Sequence, residues 1–552
     1  MNLFAKILVG TAVFFVPFSF GATQPWAFSV LQALVAVAWL VRLCTRPPWS
    51  YPSAVKPVLC VFGVLIGLCL VQSCFPHTLL DDTVLYPVTL IRLYTLEHAS
   101  LFMTYLGLVL LIMQLYPSFD EVRRLAGLLV LGAAAVALCM WALPDGEYIY
   151  RLTGKYRTSA AVGPFLNRNH GGMFLSMNAL LALGLFFTHQ LDYRKLLARE
   201  ERRSFWVQQA WLLLASSGLM VSVVFTRSRG AMLSLFIGLF LYALLYLWSV
   251  PAPFKKRLKG IFYTLVLLVV SSACIYTHLP EINRFSHRAT GTSEQTRKML
   301  YRSGGKILQH YPVWGVGIGA MPVVINEYTE YDVHAYIERL HNDWLEILLG
   351  VGGAGMLLLL AGLGWFSCGI LQALKHLEVR KQFLFAALLS ALGAMCVGST
   401  VDFHFFIPGC AFVFFCMLGM TLAPTFHKSH VHRLHPGWLY TVLVLVLLLC
   451  AMWIPGRKTW AWRAFLFGKG LRTEGKLEAY QRGLAYYPSP RYAVQLGNAY
   501  YNAGNRTKNG MEKWYYYELA QETAQQYLQQ YPKEKELSTL YMRARARLKG
   551  SR

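Results

Sequence analysis

The chain has 552 residues, of which 56% are hydrophobic and only 14% charged. Globular domains carry about 45–50% apolar and about 25% charged residues, so a soluble enzyme and a disordered chain are both excluded. The net charge of +25 does not point to nucleic acid, because Lys and Arg fall in short loops between long apolar runs, which is a topology signature.

A spanning helix needs about 20 mostly apolar residues. Thirteen segments qualify: 4–22, 26–41, 57–74, 98–116, 124–143, 170–189, 209–225, 230–249, 260–278, 343–374, 382–400, 403–423 and 438–455. Lys6 and the first apolar run resemble a signal peptide, but no small-x-small cleavage site follows, so an uncleaved first span is expected. The tenth segment is long enough to be tilted or broken. Its glycines Gly350, Gly352, Gly353 and Gly355 allow close helix approach. The predicted fold is all-α: a polytopic bundle of 12–13 spans over residues 1–455, with a large loop at 279–342 and a small helical domain over 456–552. Most cysteines lie inside apolar runs and none forms CxxC, so neither a disulfide framework nor a metal site is expected.

With the N-terminus inside, every loop assigned to the cytoplasm carries at least two Lys or Arg, among them Arg42, Arg46 and Lys56, then Arg123 and Arg124, then Lys375, Arg380 and Lys381. Three outer segments remain. Loop 144–169 is polar. The loop 279–342 contains a helix-like stretch, 293–310, with capping-box spacing at Thr292 and Gln295, then the glycine-rich turn from Tyr311 to Gly319. The basic tail carries 18 Lys and Arg against 7 Glu. Its Ala493, Leu496, Gly497 and Tyr500, then Ala520, Ala524, Tyr527 and Pro532, fit the two helices of a tetratricopeptide repeat. About ten extra residues, Asn505 to Trp514, are read as lying between those helices, and a fainter copy runs from Leu477 to Pro488. A plain helical hairpin fits the same pattern.

Charges on the outer side need a reason. Arg227 and Arg229 sit in a four-residue turn between two spans. They either snorkel to lipid headgroups or grip the phosphate of a lipid-linked substrate with their fork of donors. The segment Asn167-Arg168-Asn169-His170 opens a span, and helix N-termini favour anions. Arg168 and His170 therefore hold phosphate or a sugar hydroxyl, or merely form a polar cap. His341 stands at the end of the basic loop, where a neutral imidazole can take a proton from a hydroxyl nucleophile. Asn342 and Glu346 are four apart on one helix face, and Glu346 lies in a buried run and needs a partner. Asp402 and His404, on another outer turn, orient a base or cap a helix.

Together these pieces resemble the O-antigen ligase family, which shares a membrane fold with O-antigen polymerases and bacterial protein O-oligosaccharyltransferases. The carrying residues are Asn167 to His170, Thr226 to Gly230, Arg297 ahead of Pro312 to Gly319, His341 to Glu346 followed by Gly350 to Gly355, and Val401 to His404. The resemblance covers roughly 1–455 and is strongest over 160–410. It implies a GT-C-like membrane fold and a periplasmic large loop. It also implies transfer of a glycan from undecaprenyl pyrophosphate to an acceptor hydroxyl, outside the inner membrane and without a nucleotide sugar, cofactor or metal. The family's arginine in its Ser-Arg-Gly motif falls on Arg229 and its histidine on His341. Its second arginine fits Arg297, with Arg288 and Arg302 as close rivals, and the role of Arg227 is open. The acceptor is lipid A-core for a ligase, the growing chain for a polymerase, or Ser or Thr for a protein transferase. The helical tail offers a surface for a protein partner. A non-enzymatic lipid-glycan transporter is the competing class. It would place charges near the bilayer midplane and show an inverted repeat, and neither is visible.

Overall fold

The computed structural model describes residues 2–44, 49–77, 83–144, 146–153, 162–191, 199–249, 297–329, 339–427, 431–434, 438–531 and 535–550. The expected span at 260–278, Arg288, and the Thr292–Gln295 cap lie outside them.

Among the described residues, nine helices are long and apolar enough to cross a membrane. They are α2 (Pro25–Cys44), α3 (Val55–Cys74), α4 (Arg92–Leu115), α5 (Phe119–Ala142), α7 (Arg168–Gln190), α8 (Arg199–Phe225, within which the span begins at Arg202), α9 (Arg229–Ser249), α12 (Asp343–Lys375) and α13 (Val379–Gly398). Two shorter apolar helices, α1 (Asn2–Phe18) and α14 (Pro408–Thr421), pack among them. α14 is shorter than the expected 403–423. Residues 399–407 form a turn instead, because Pro408 at the first helical position starts the helix. Short helices α6 (Glu147–Thr153), α10 (297–310) and α11 (Met321–Tyr328) belong to the connecting loops.

Helix α7 is the hub. Every side chain from His170 to His189 is buried, with α5, α8, α9, α13 and α14 packed around it. Small residues permit this. A Cβ at Gly172 would run into Ala231, and one at Gly184 into Ala387. The buried hydroxyls on α7 turn back on their own helix, Ser176 donating to the Gly172 carbonyl at 2.8 Å and Thr188 to the Gly184 carbonyl at 2.7 Å. Buried hydroxyls are thus satisfied without water.

The long tenth segment is broken. At Gly352 the backbone of α12 adopts φ +67°, ψ −175°, which interrupts the ladder, and irregular backbone at membrane depth survives only when protein satisfies it. The glycine-rich turn does so. Val316 and Gly317 donate to the carbonyls of Leu349 and Gly350 (2.9 and 3.2 Å), and Gly353 and Ala354 donate to those of Pro312 and Val313 (2.8 and 3.1 Å). The Gln72 amide adds bonds to the Trp314 and Gly350 carbonyls at 2.8 and 2.9 Å. The apposition demands glycine, since a Cβ at Gly315 would overlap the Leu349 carbonyl and one at Gly352 the Val313 carbonyl. A parallel repair occurs in α15 (Trp438–Gly468), which contains Pro455. Proline has no N–H for the carbonyl four residues back. That carbonyl, Ala451 O, accepts instead from Gln32 Nε2 at 3.1 Å and from the Ser100 hydroxyl.

The two ends of the bundle differ. One carries the basic helix ends expected inside, together with the Lys6–Glu121 ion pair at 2.6 Å and a two-stranded antiparallel ribbon that the sequence did not announce: β1 (Trp49–Pro52) on β2 (Val431–Leu434). The other carries the candidate site and the tail. The tail packs as successive helices α16 (Thr473–Tyr486), α17 (Pro490–Arg506), α18 (Gly510–Leu528) and α19 (Lys535–Gly550), with α16 against α15. Leu496, Ala493, Tyr500, Ala520, Ala524 and Tyr527 all point into its core. The expected ten-residue insertion is absent as a loop: α17 and α18 extend through it, leaving only 507–509 between them. The tail docks where α4 begins. Glu97 accepts from Lys458 Nζ at 2.5 Å and from the Tyr487 hydroxyl at 2.6 Å, while Tyr94 and Tyr487 stack at 6.3 Å.

Candidate functional site

Four chain segments converge at the tail-bearing end: the N-terminus of α7, the turn between α8 and α9, the N-terminus of α12, and the 399–407 turn between α13 and α14. Each is shaped by short polar residues. Asn167 caps α7, accepting from Asn169 N at 2.9 Å. Asn342 caps α12, accepting from Leu345 N at 3.0 Å. Asn342 is therefore a cap and does not share a working helix face with Glu346. Ser228 accepts from Ala231 N at 3.2 Å and so closes the first turn of α9.

At the centre, His341 Nδ1 lies 3.0 Å from Asp402 Oδ1. An ionised carboxylate only accepts, so Nδ1 carries the hydrogen, and in the neutral ring Nε2 presents its lone pair. His341 sits at φ +53°, in the left-handed region. A residue with a Cβ is held there at a cost of about 1–2 kcal/mol. The hold comes from both sides: Asp402 grips the ring, and the Asp343 N–H following the cap donates to the Ser399 carbonyl at 2.8 Å. Asp343 is fully buried and its Oδ2 accepts from Phe405 N at 2.9 Å, so α12 is stitched to the 399–407 turn. The His341 side chain retains 38% exposure against 3% for Asp402, so a reactive face meets solvent while the carboxylate behind it does not.

Burial alone would raise the Asp402 carboxyl. The hydrogen bond from His341 and the imidazoles of His170, His404 and His341 around it outweigh that effect and hold it below the ordinary carboxylate range. His404 is buried, and burial pushes its imidazole down to about 4 although Asp402 pulls the other way. His404 and His170 face each other at 5.7 Å, and His170 meets the edge of Phe403 at 4.8 Å. His170 is only 5% exposed, so it lies beneath the site and is not the surface ligand for phosphate or sugar that its motif suggested. Phe403 also packs edge-on to His341, at 5.0 Å.

The arginine turn connects to this pair through hydrogen bonds. Asn169 Nδ2 donates to Asp402 Oδ2 at 2.5 Å, and Ser228 Oγ donates to Asn169 Oδ1 at 2.8 Å. Ser228 stands between Arg227 and Arg229, which are exposed, and Arg227 is the second left-handed residue of the site at φ +57°. Arg168 is exposed beside Asn169 at the start of α7. Arg297 is half-buried as the first described residue of α10. Gly304 of that helix faces Leu345 and Leu349 of α12. The hydrogen-bonded chain includes neither Arg297 nor Arg168.

Glu346 has the partner its burial demanded. It pairs with Arg339, whose guanidinium also lies 4.2 Å above the Phe406 ring. The Phe406 ring also meets His98 of α4 edge-on, with centroids at 5.4 Å, and His98 is next to the Glu97 that holds the tail. Asn169, Ser228 and Arg339 escaped the sequence reading. The Asn-Arg-Asn-His and Arg-Ser-Arg motifs marked the right places, but their charged members drew attention from the neutral ones between them.

Over residues 211–360 the chain is similar to the family described as O-antigen ligase, whose family model matches that stretch. No curated protein matches the chain. The matched stretch holds Arg227, Arg229, Arg297, His341, Asn342 and Glu346 and stops short of Asp402. With the apolar helices, the match indicates a multi-pass membrane protein, and it supports glycosyl transfer of the O-antigen ligase and polymerase kind.

Proposed function

We propose that this protein transfers a glycan from undecaprenyl pyrophosphate to an acceptor hydroxyl at the periplasmic face of a bacterial inner membrane, with no metal or cofactor. The observation that carries the reading is the continuous hydrogen-bonded link from the arginine turn to an oriented, half-exposed imidazole. A lipid pyrophosphate is the ligand for which such a pairing has a use. Arg229 and Arg227, together with Arg168 and Arg297, supply donors for the diphosphate. Nε2 of His341 accepts the proton of the acceptor hydroxyl while its oxygen bonds to the anomeric carbon. The bond from that carbon to the pyrophosphate oxygen breaks, and its electron pair leaves with the pyrophosphate, whose growing charge the guanidinium groups stabilise. One displacement gives inversion. Basic helix ends at the opposite end of the bundle support placing the site outside.

A lipid A-core hydroxyl is the acceptor we favour. The tail, docked on Glu97 beside His98 and Phe406, gives a second reading its support: a repeat-like helical surface that presents a polypeptide acceptor or partner to the site. A polymerase uses the same donor chemistry.

The test is purified protein in lipid nanodiscs with undecaprenyl-pyrophosphate glycan and separate lipid, glycan and peptide acceptors, without ATP or metal. Free undecaprenyl pyrophosphate plus an inverted glycosidic product is expected, and His341→Ala should lose about 10²–10⁴-fold in turnover. Lipid movement across vesicles with no new bond would favour a transporter, and wild-type turnover in His341→Ala would remove the base.

A further inference from the structure

We propose that Asn169 is a positioning residue: its amide is the joint that sets the spacing between the arginine turn and the Asp402–His341 pair. This inference rests on reading that turn as the anion grip and His341 as the proton acceptor.

The side chain is suited to the place by its chemistry. A carboxamide has a donor at one corner and an acceptor at the other. Here the donor meets Asp402 Oδ2 at 2.5 Å and the acceptor takes the Ser228 hydroxyl at 2.8 Å. Asp402 cannot donate when ionised, so the amide turns its NH2 to the carboxylate, which leaves its oxygen to accept from the Ser228 hydroxyl. The remaining Asp402 oxygen accepts from His341 Nδ1 and from Phe403 N, both at 3.0 Å. With Asn169 in place both carboxylate oxygens are tied, and rotation about the Asp402 Cβ–Cγ bond is blocked. Without it one oxygen is loose, and the imidazole it balances is free to tilt.

Asn169 is also anchored at the start of the helix around which the bundle packs. Its N–H is held by the Asn167 cap at 2.9 Å, and the helix that follows is buried on every side through His189. The joint thus hangs from the hub, with one arm on the turn that carries Arg227 and Arg229 and the other on the carboxylate behind the base. A reacting centre displaced by about 1 Å loses roughly 10²-fold in rate. Asn169 therefore acts on turnover, with little effect on donor affinity.

Steady-state transfer by the full chain in nanodiscs tests this. Asn169→Ala should lose about 10–100-fold in kcat while donor KM changes by less than about threefold. Asn169→Asp keeps the shape and the Ser228 bond but faces Asp402 with a second acceptor. It should do no better than Asn169→Ala, whereas a residue that merely fills space would be rescued. In the Asp402→Asn background the loss from Asn169→Ala should shrink to under about threefold, because the two act through one another. Additive losses, rescue by Asn169→Asp, or an unchanged kcat in Asn169→Ala would each overturn the proposal. If Asn169→Ala does not fold, Asn169→Asp and its cycle with Asp402→Asn carry the decision. Wild-type activity that needs His341, alongside unaffected Asn169 variants, sinks this inference alone. A wild-type chain without transfer, or an active His341→Ala, sinks the functional reading as well.

Discussion

Replacing Asp402 with Asn keeps the size of the side chain and removes its charge. The carboxylate accepts three hydrogen bonds, from His341 Nδ1, Phe403 N and Asn169 Nδ2. An amide has one oxygen. If that oxygen stays toward His341, the new NH2 group confronts the NH2 of Asn169, donor to donor. If the amide flips, its NH2 faces His341 Nδ1, and the imidazole must move its hydrogen to Nε2, where a base needs a lone pair. Either outcome disables the pair. In serine-protease triads the wrong tautomer alone lowers turnover by about 10⁴, and acid–base catalysis is worth about 10²–10⁴-fold. Asp402→Asn should therefore lose about 10²–10⁴ in kcat, or about 2.7–5.4 kcal/mol of barrier at 1.36 kcal/mol per decade. Donor KM should hardly change, since the arginine turn stays in place. The assay is release of undecaprenyl pyrophosphate over a donor titration, with thermal denaturation to show that the variant is folded. A variant within about threefold of wild-type kcat, or one whose defect lies wholly in KM, would refute the reasoning.

Three further outcomes are expected. His404 titrates near 4 in the fold against an ordinary value of about 6.5; a group whose pKa is depressed by folding gives stability that is whole above the unfolded value and lost as the pH falls toward the folded one. The thermal midpoint should therefore drop between pH 6.5 and pH 4 more steeply in the wild type than in His404→Gln, and parallel slopes would contradict this. Gly352→Ala puts a Cβ at φ +67° against the Val313 carbonyl. Backbone at φ +67°, ψ −175° is essentially reserved to glycine and costs another residue about 1–3 kcal/mol, and the overlap costs about 1–3 kcal/mol, so melting in detergent should show a clear loss, and an unchanged midpoint would mean that the break in α12 relaxes freely. Glu97→Gln removes the carboxylate that receives Lys458 and Tyr487. Leaving these groups poorly paired costs about 1–3 kcal/mol, so limited trypsin digestion should cut the 469–472 connection faster, and identical digestion would show that the tail is held elsewhere.

Hydrophobic run length determined the class of this protein. Apolar stretches of about 20 residues have few alternatives to a membrane helix, so the positions of α2 to α5, α7, α9, α12 and α13 were legible to within about six residues, whereas α8 starts at Arg199, ahead of the expected 209, and α6 fell in a segment read as a polar loop. The same holds for the amphipathic tail helices, where Ala493, Leu496 and Tyr500 recur on one face. Polar residues at span ends marked the candidate site, because Arg227 and Arg229 fall on the side opposite the loops rich in Lys and Arg, and His341 closes the basic loop on that same side. Tertiary structure alone decided how these marks combine. Asp402 lies 61 residues from His341 and Asn169 lies 233 from Asp402, and no local periodicity encodes which helix ends meet. It also moved His170 beneath the site, gave Glu346 to Arg339, and turned the glycine-rich segment into the patch for a helix broken at Gly352. The physical reason is common to all of these. Helix formation answers to neighbours a few residues away, whereas pairing of buried polar groups is settled by whichever distant group packing brings within 3 Å.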